Sequence, residues 1–160
     1  MSTLDPESID LATLAALASG SATEFLLRQL REAGHPNIRV SHGYVFQYLL
    51  AGSPTVGELA ELLRVTQQGA SKVVLELESL GYVERTSDPE DSRIRRVALT
   101  AKGRSVVDRG RTARAKLEAA VVAKVGPQAI KAARRALVAL LDRTGGLDAV
   151  RTRRVRPPTE

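Results

Sequence analysis

At Gly81 the spacing of apolar residues changes abruptly from one repeat to another, and few folds accommodate such a switch. Before it, Ala70, Val73, Val74, Leu77 and Leu80 recur at helical intervals within QQGASKVVLELESL. After it, YVER (82–85) and RRVAL (95–99) alternate with the period of a strand, and the connecting TSDPEDSRI is rich in turn formers. This predicts a helix stopped by Gly81 and followed by an antiparallel hairpin with a long tip. Upstream, Thr55 and Glu58 have the spacing of a capping box that opens a short helix, TVGELAELL, with Val56, Leu59, Ala60 and Leu63 on one face. Arg64 and Val65 leave room only for a tight turn, and Thr66 stands where it can cap the next helix.

The flanks read as helices. One spans about residues 7–33 and stops at Gly34 and Pro36; another runs from about Ser41 to Leu50 and is broken by AGSP. A third runs from Thr100 to about Val125. A fourth begins at Pro127 and carries a stripe of Ile130, Ala133, Leu137, Leu140 and Leu141, ending at Thr144-Gly-Gly. The apolar face of the first helix is broad enough to predict burial against more than one neighbour. The final RTRRVRPPTE, with four arginines and two prolines, reads as a disordered, solvated end or as an arm that contacts phosphates.

Composition narrows the function. The chain has no cysteine, which removes disulfides, thiolate metal sites and cysteine nucleophiles. Its acidic, polar start does not resemble a signal peptide, and no run approaches 18 apolar residues, so a cytoplasmic protein without a membrane segment is expected. His35 and His42 are the only histidines, and no phosphate-binding glycine loop or nucleophile elbow is present. Neither a metal, a cofactor nor an enzyme is expected. Lys and Arg outnumber Asp and Glu by 24 to 18, and residues 104–160 hold 14 of those cations against 5 acids. That balance favours a polyanionic partner. Two Phe, three Tyr and no Trp are too few for base-stacking platforms, so duplex DNA stands ahead of single strands.

Helix, tight turn, helix and hairpin is the order of a winged helix-turn-helix, in which the second helix enters the major groove N-terminus first. With Ala70, Val73, Val74 and Leu77 turned inward, Gln67, Gln68, Ser71 and Lys72 project outward near its start. Gln pairs with adenine, and Lys with guanine or a phosphate. A solvated helix face accounts for the same residues equally well, but the hairpin adds weight. An exposed pair with Asp88, Glu90 or Asp91 is worth only ~0–1 kcal/mol to an arginine, whereas a narrow minor groove attracts a guanidinium strongly. Arg93 is the tip candidate. Arg95 and Arg96 lie on opposite strand faces and cannot both meet DNA. Thr55, Arg64 and Thr66 are candidate phosphate contacts.

The run PTVGELAELLRVTQQGASKVVLELESLGYVERTSDPEDSRIRRVALTAKGR resembles the DNA-binding core of the MarR (multiple antibiotic resistance regulator) family, through the two helices, LGYVER, DPEDSR and LTAKG in order. With its flanking helices the similarity covers roughly residues 10–143. The resemblance implies a mostly α fold with a small β-hairpin: a winged helix-turn-helix at 37–103 and N- and C-terminal dimerisation helices at 1–36 and 104–146; the composition adds a basic tail at 147–160. It implies a homodimeric transcriptional regulator, usually a repressor, on a pseudo-palindromic double-stranded operator. It also implies that Asp88, Asp91 and Arg93 build the wing, the aspartates aiming the arginine. The turn that commonly carries Gly in the family is Arg64 here. Many members release DNA on binding a small aromatic or phenolic ligand. By position His35, Arg39, His42, Tyr44 and Phe46 are candidates for such a pocket, although loop, cap and core roles suit several of them. Two rival readings remain: a non-specific nucleoid protein, and a ligand-binding protein that has lost DNA readout.

Overall fold

The computed structural model describes residues 5–151. After a single 3-10 turn at Pro6–Ser8, the chain forms α1 (Leu11–Glu32), α2 (Val40–Leu49), α3 (Val56–Leu63), α4 (Gln67–Ser79), strands β1 (Val83–Ser87) and β2 (Arg95–Leu99), then α5 (Ala101–Val125), α6 (Pro127–Arg143) and α7 (Leu147–Arg151). The hairpin pairs antiparallel from Val83–Leu99 to Ser87–Arg95. β2 also meets the segment before α3, through a bridge between Thr55 and Arg96 and the amide of Val97 donating to the Pro54 carbonyl at 2.8 Å.

Four helices end in the same way. The residue after the left-handed position donates its N–H back five positions: His35 to Leu30, Val65 to Ala60, Tyr82 to Leu77 and Gly146 to Leu141. Each needs a left-handed residue in between, and Gly34, Gly81 and Gly145 supply it without strain. At the end of α3 the position is Arg64, with φ 53° and ψ 44°. A side chain there costs roughly 1 kcal/mol, so the tight turn is kept despite the residue that forms it. The capping box of α3 is complete: Glu58 N–H donates to Thr55 Oγ1 at 3.2 Å and Thr55 N–H to Glu58 Oε2 at 2.7 Å. Thr66 Oγ1 accepts from the Gly69 amide at 3.0 Å, opening α4.

The core gathers Leu30, Ile38, Val45, Phe46, Leu49, Leu59, Leu63, Val74, Leu77, Val83, Val97, Leu99 and Val106 around Tyr82. Tyr82 is buried at the point where α4 gives way to the hairpin. Its hydroxyl lies 3.1 Å from His35 Nδ1, its ring meets Phe46 edge-on, and Lys102 Nζ stands 4.6 Å from the ring centroid. α5 is fastened to the same spot. Thr100 Oγ1 accepts from the Gly103 amide and donates to the Gly81 carbonyl at 2.7 Å, while Lys102 Nζ donates to the Leu80 carbonyl at 2.8 Å.

The outer helices bury little within the single chain. Of α1 only Leu30 is buried, and no residue of α6 is. Leu11, Leu14, Leu17, Val121, Val125, Leu137 and Val138 are exposed in the single chain. Residues 147–151 of the expected tail form α7, and residues 152–160 lie outside the described residues. No helix among the described residues is long and apolar enough to cross a membrane.

The glycine of LTAKG has a steric cause. A Cβ on Gly103 would sit 2.1 Å from the Tyr82 carbonyl oxygen and 3.0 Å from Leu99 Cδ2. Gly103→Ala should therefore push α5 off the hairpin and lower stability by about 1–3 kcal/mol in urea unfolding. An unchanged unfolding midpoint would show that the contact is not tight.

Candidate nucleic-acid interface

The outward face of α4 is set by its inward one. Ala70, Val74 and Leu77 are fully buried, which leaves Gln67, Gln68 and Lys72 exposed and Ser71 half-buried on the first two turns. The two carboxylates of α4 are turned aside and paired. Glu76 meets the guanidinium of Arg39 at the start of α2, and Glu78 Oε2 lies 3.3 Å from Arg85 Nε on β1. The first two turns thus present polar and cationic groups with no carboxylate among them, which suits an approaching phosphate backbone.

The hairpin tip is organised by aspartates, though not as the sequence resemblance implies. Asp91 Oδ1 accepts from the Arg93 amide at 2.9 Å and lies 3.8 Å from Arg93 Nε, while the Arg93 side chain is 93% exposed. Asp88 does not aim Arg93. Its Oδ1 accepts from the amides of Glu90 and Asp91, and its Oδ2 pairs with Arg96 Nε. The Glu90 amide first, and the Arg96 guanidinium second, hold the Asp88 carboxyl below its ordinary value. Arg96 reaches on to the Ser53 carbonyl at 3.1 Å and lies 3.6 Å from Glu58 Oε2. It therefore binds the base of the wing to the cap of α3. Arg95, on the other strand face, is exposed and donates to Ser87 Oγ at 2.9 Å.

Of the three candidate phosphate contacts, Thr55 and Thr66 both serve as helix caps, and Arg64 is exposed at the turn between them. Capping uses each threonine oxygen as an acceptor and leaves its hydroxyl hydrogen to donate.

Residues 38–94 match a family model described as MarR family, which takes in α2 through the hairpin tip. The whole fold is similar to FabT of Streptococcus pneumoniae in complex with DNA, at TM-score 0.71 and 18% identity over 86% of this chain and 96% of that one. It is also similar to the S. aureus MepR–DNA complex, at 0.62 and 20% over 84% and 98%. A third likeness is to transcriptional regulator Tm0710 of Thermotoga maritima, at 0.61 and 23% over 83% and 94%. No curated protein matches the chain.

Behind α2, a cleft of about 360 Å³ opens between α1, α2 and α5. Leu26, Leu30, Phe46 and Val106 give it an apolar lining, and Arg39, Arg111 and Arg114 add three guanidiniums. Of the five residues the sequence put in a pocket, Arg39 and Phe46 line it. His35 is instead buried against Tyr82, Tyr44 packs against the core, and His42 faces the space between α2 and α4. The α1 and α5 walls of the cleft, which lie far away in the chain, were not among those candidates.

His42 is fully buried. Its Nδ1 accepts from the Arg39 amide at 3.3 Å, and its Nε2 stops 3.7 Å from Glu76 Oε1 without a hydrogen bond. Burial first, and the Arg39 cation second, push its pKa down to about 4. Between that value and the ordinary 6.5 of an unfolded histidine, the folded state binds fewer protons than the unfolded chain. Stability should therefore fall as pH drops through this window, by at most about 3 kcal/mol, and level off below it. In His42→Asn, whose amide oxygen can still accept from Arg39, this portion of the acid sensitivity should vanish. Urea unfolding of both proteins between pH 7 and 4 tests this; equal slopes would reject the assignment.

Proposed function

We propose that the protein is a sequence-specific, double-stranded-DNA-binding transcriptional regulator of MarR type that acts as a homodimer, most simply a repressor. What carries the reading is the pairing of a carboxylate-free face on the first turns of α4 with Arg93 held out on the wing by Asp91. Gln67, Gln68, Ser71 and Lys72 read base edges in the major groove, and Arg93 enters the flanking minor groove. Thr55, Arg64 and Thr66 hold phosphates. Arg95 serves the wing strand, while Asp88 and Arg96 keep the hairpin at a fixed angle to α3. FabT and MepR, which share the fold, have been crystallised with DNA.

The exposed leucines and valines of α1, α5 and α6 support the dimer, because these helices present apolar stripes that a single chain leaves in water. A second copy related by a two-fold axis would cover them and set two α4 helices about one duplex turn apart, ~34 Å, on a pseudo-palindromic site. Such a regulator works in the cytoplasm.

Release by a ligand has a route in the same geometry. Arg39 both lines the cleft and pairs with Glu76 of α4. A small aromatic anion seated on the apolar lining would compete with Glu76 for this guanidinium and loosen the recognition helix. Calorimetric titration with benzoate should show binding that Arg39→Gln weakens at least severalfold; equal binding by both proteins would remove Arg39 from the route.

The central test is a specificity ratio. Against random duplex at fixed salt, the protein should prefer its selected site by a factor of a thousand or more, on the order of specific regulators. A ratio near one with a steep salt slope would favour a nucleoid protein, and ligand binding without a preference among duplexes would favour the third reading. Arg93→Ala should weaken operator binding markedly, with thermal unfolding and sedimentation of the dimer unchanged. Undiminished affinity at physiological salt would reject the role of the wing.

A further inference from the structure

Beyond Lys72 the exposed face of α4 carries a residue that the fold does not explain. Leu75 is 55% exposed, the most open large apolar side chain of the winged domain. It follows Gln68, Ser71 and Lys72 at seven, four and three residues, so it continues the stripe assigned to base readout. Seven residues of helix advance about 10 Å, or roughly three base-pair steps beyond the edge that Gln68 meets.

A leucine at this place would be a poor neighbour for most of the major groove. Guanine, cytosine and adenine present donors and acceptors there, which an isobutyl group would strip of water without offering a hydrogen bond. Thymine alone presents an apolar group, its 5-methyl. The two acids nearest Leu75, Glu76 and Glu78, are held by Arg39 and Arg85, so no free carboxylate from that turn repels the backbone as Leu75 approaches.

We propose that Leu75 is a specificity-determining residue that selects thymine through contact with its 5-methyl group, once in each half-site. The inference rests on the proposed DNA readout, and the experiment separates the two. The full-length protein is first used to select sites from a randomised duplex library. Each thymine of the enriched site is then replaced singly by deoxyuridine, which removes the methyl and leaves base pairing intact. Burial of one methyl group corresponds to roughly fourfold in affinity. At one thymine per half-site, the replacement should weaken wild-type binding by about that factor and leave Leu75→Ala binding unchanged. The same thymine should lose its dominance when the selection is repeated with Leu75→Ala. Uridine penalties that are equal in both proteins at every position would overturn the role of Leu75 while leaving DNA readout standing. Failure to enrich any site would instead overturn the readout itself, and Leu75 with it.

Discussion

The carbonyl of Tyr82 and the missing side chain of Gly103 fix where the winged domain meets the long helix. At that point the end of α4, the first residue of the hairpin and the first turn of α5 come within hydrogen-bonding distance of one another. Tyr82 extends the junction to α1 and α2 through His35 and Phe46. A rigid arrangement of helix, turn, helix and wing is of little use unless it is also rigid toward the helices that carry the apolar stripes. This junction provides that connection through contacts confined to a few residues.

Most of the fold could be read from local sequence, because the signals that end and begin helices act within six residues. The capping box at Thr55 and Glu58, the cap at Thr66 and the stop at Gly81 all appear in the structure with the expected bonds. The change of period after Gly81 marked the hairpin to within a residue or two. Arg64 is instructive in the opposite sense: the turn is left-handed although the residue is not glycine, so the backbone bonds of the helix stop outweigh the preference of the side chain.

What the sequence did not reveal was partnership between side chains. Asp88 pairs with Arg96 rather than serving Arg93, since a strand returning antiparallel brings Arg96 back beside it. Arg39 and Glu76 are 37 residues apart, and His35 and Tyr82 are 47 apart; no period or motif links either pair. The cleft was hidden for the same reason, because two of its walls belong to α1 and α5. Leu75 falls outside the stripe of Ala70, Val73, Val74, Leu77 and Leu80, and its exposure singles it out.

Arg39 stands in two places at once, and that has a thermodynamic consequence. If an anion in the cleft draws Arg39 away from Glu76 and so weakens the hold of α4 on DNA, the coupling must run both ways by the same factor. Protein seated on DNA would then take up the anion less readily than free protein. The concentration at which the ligand acts would depend on how much DNA competes for the protein, as well as on the affinity of the cleft.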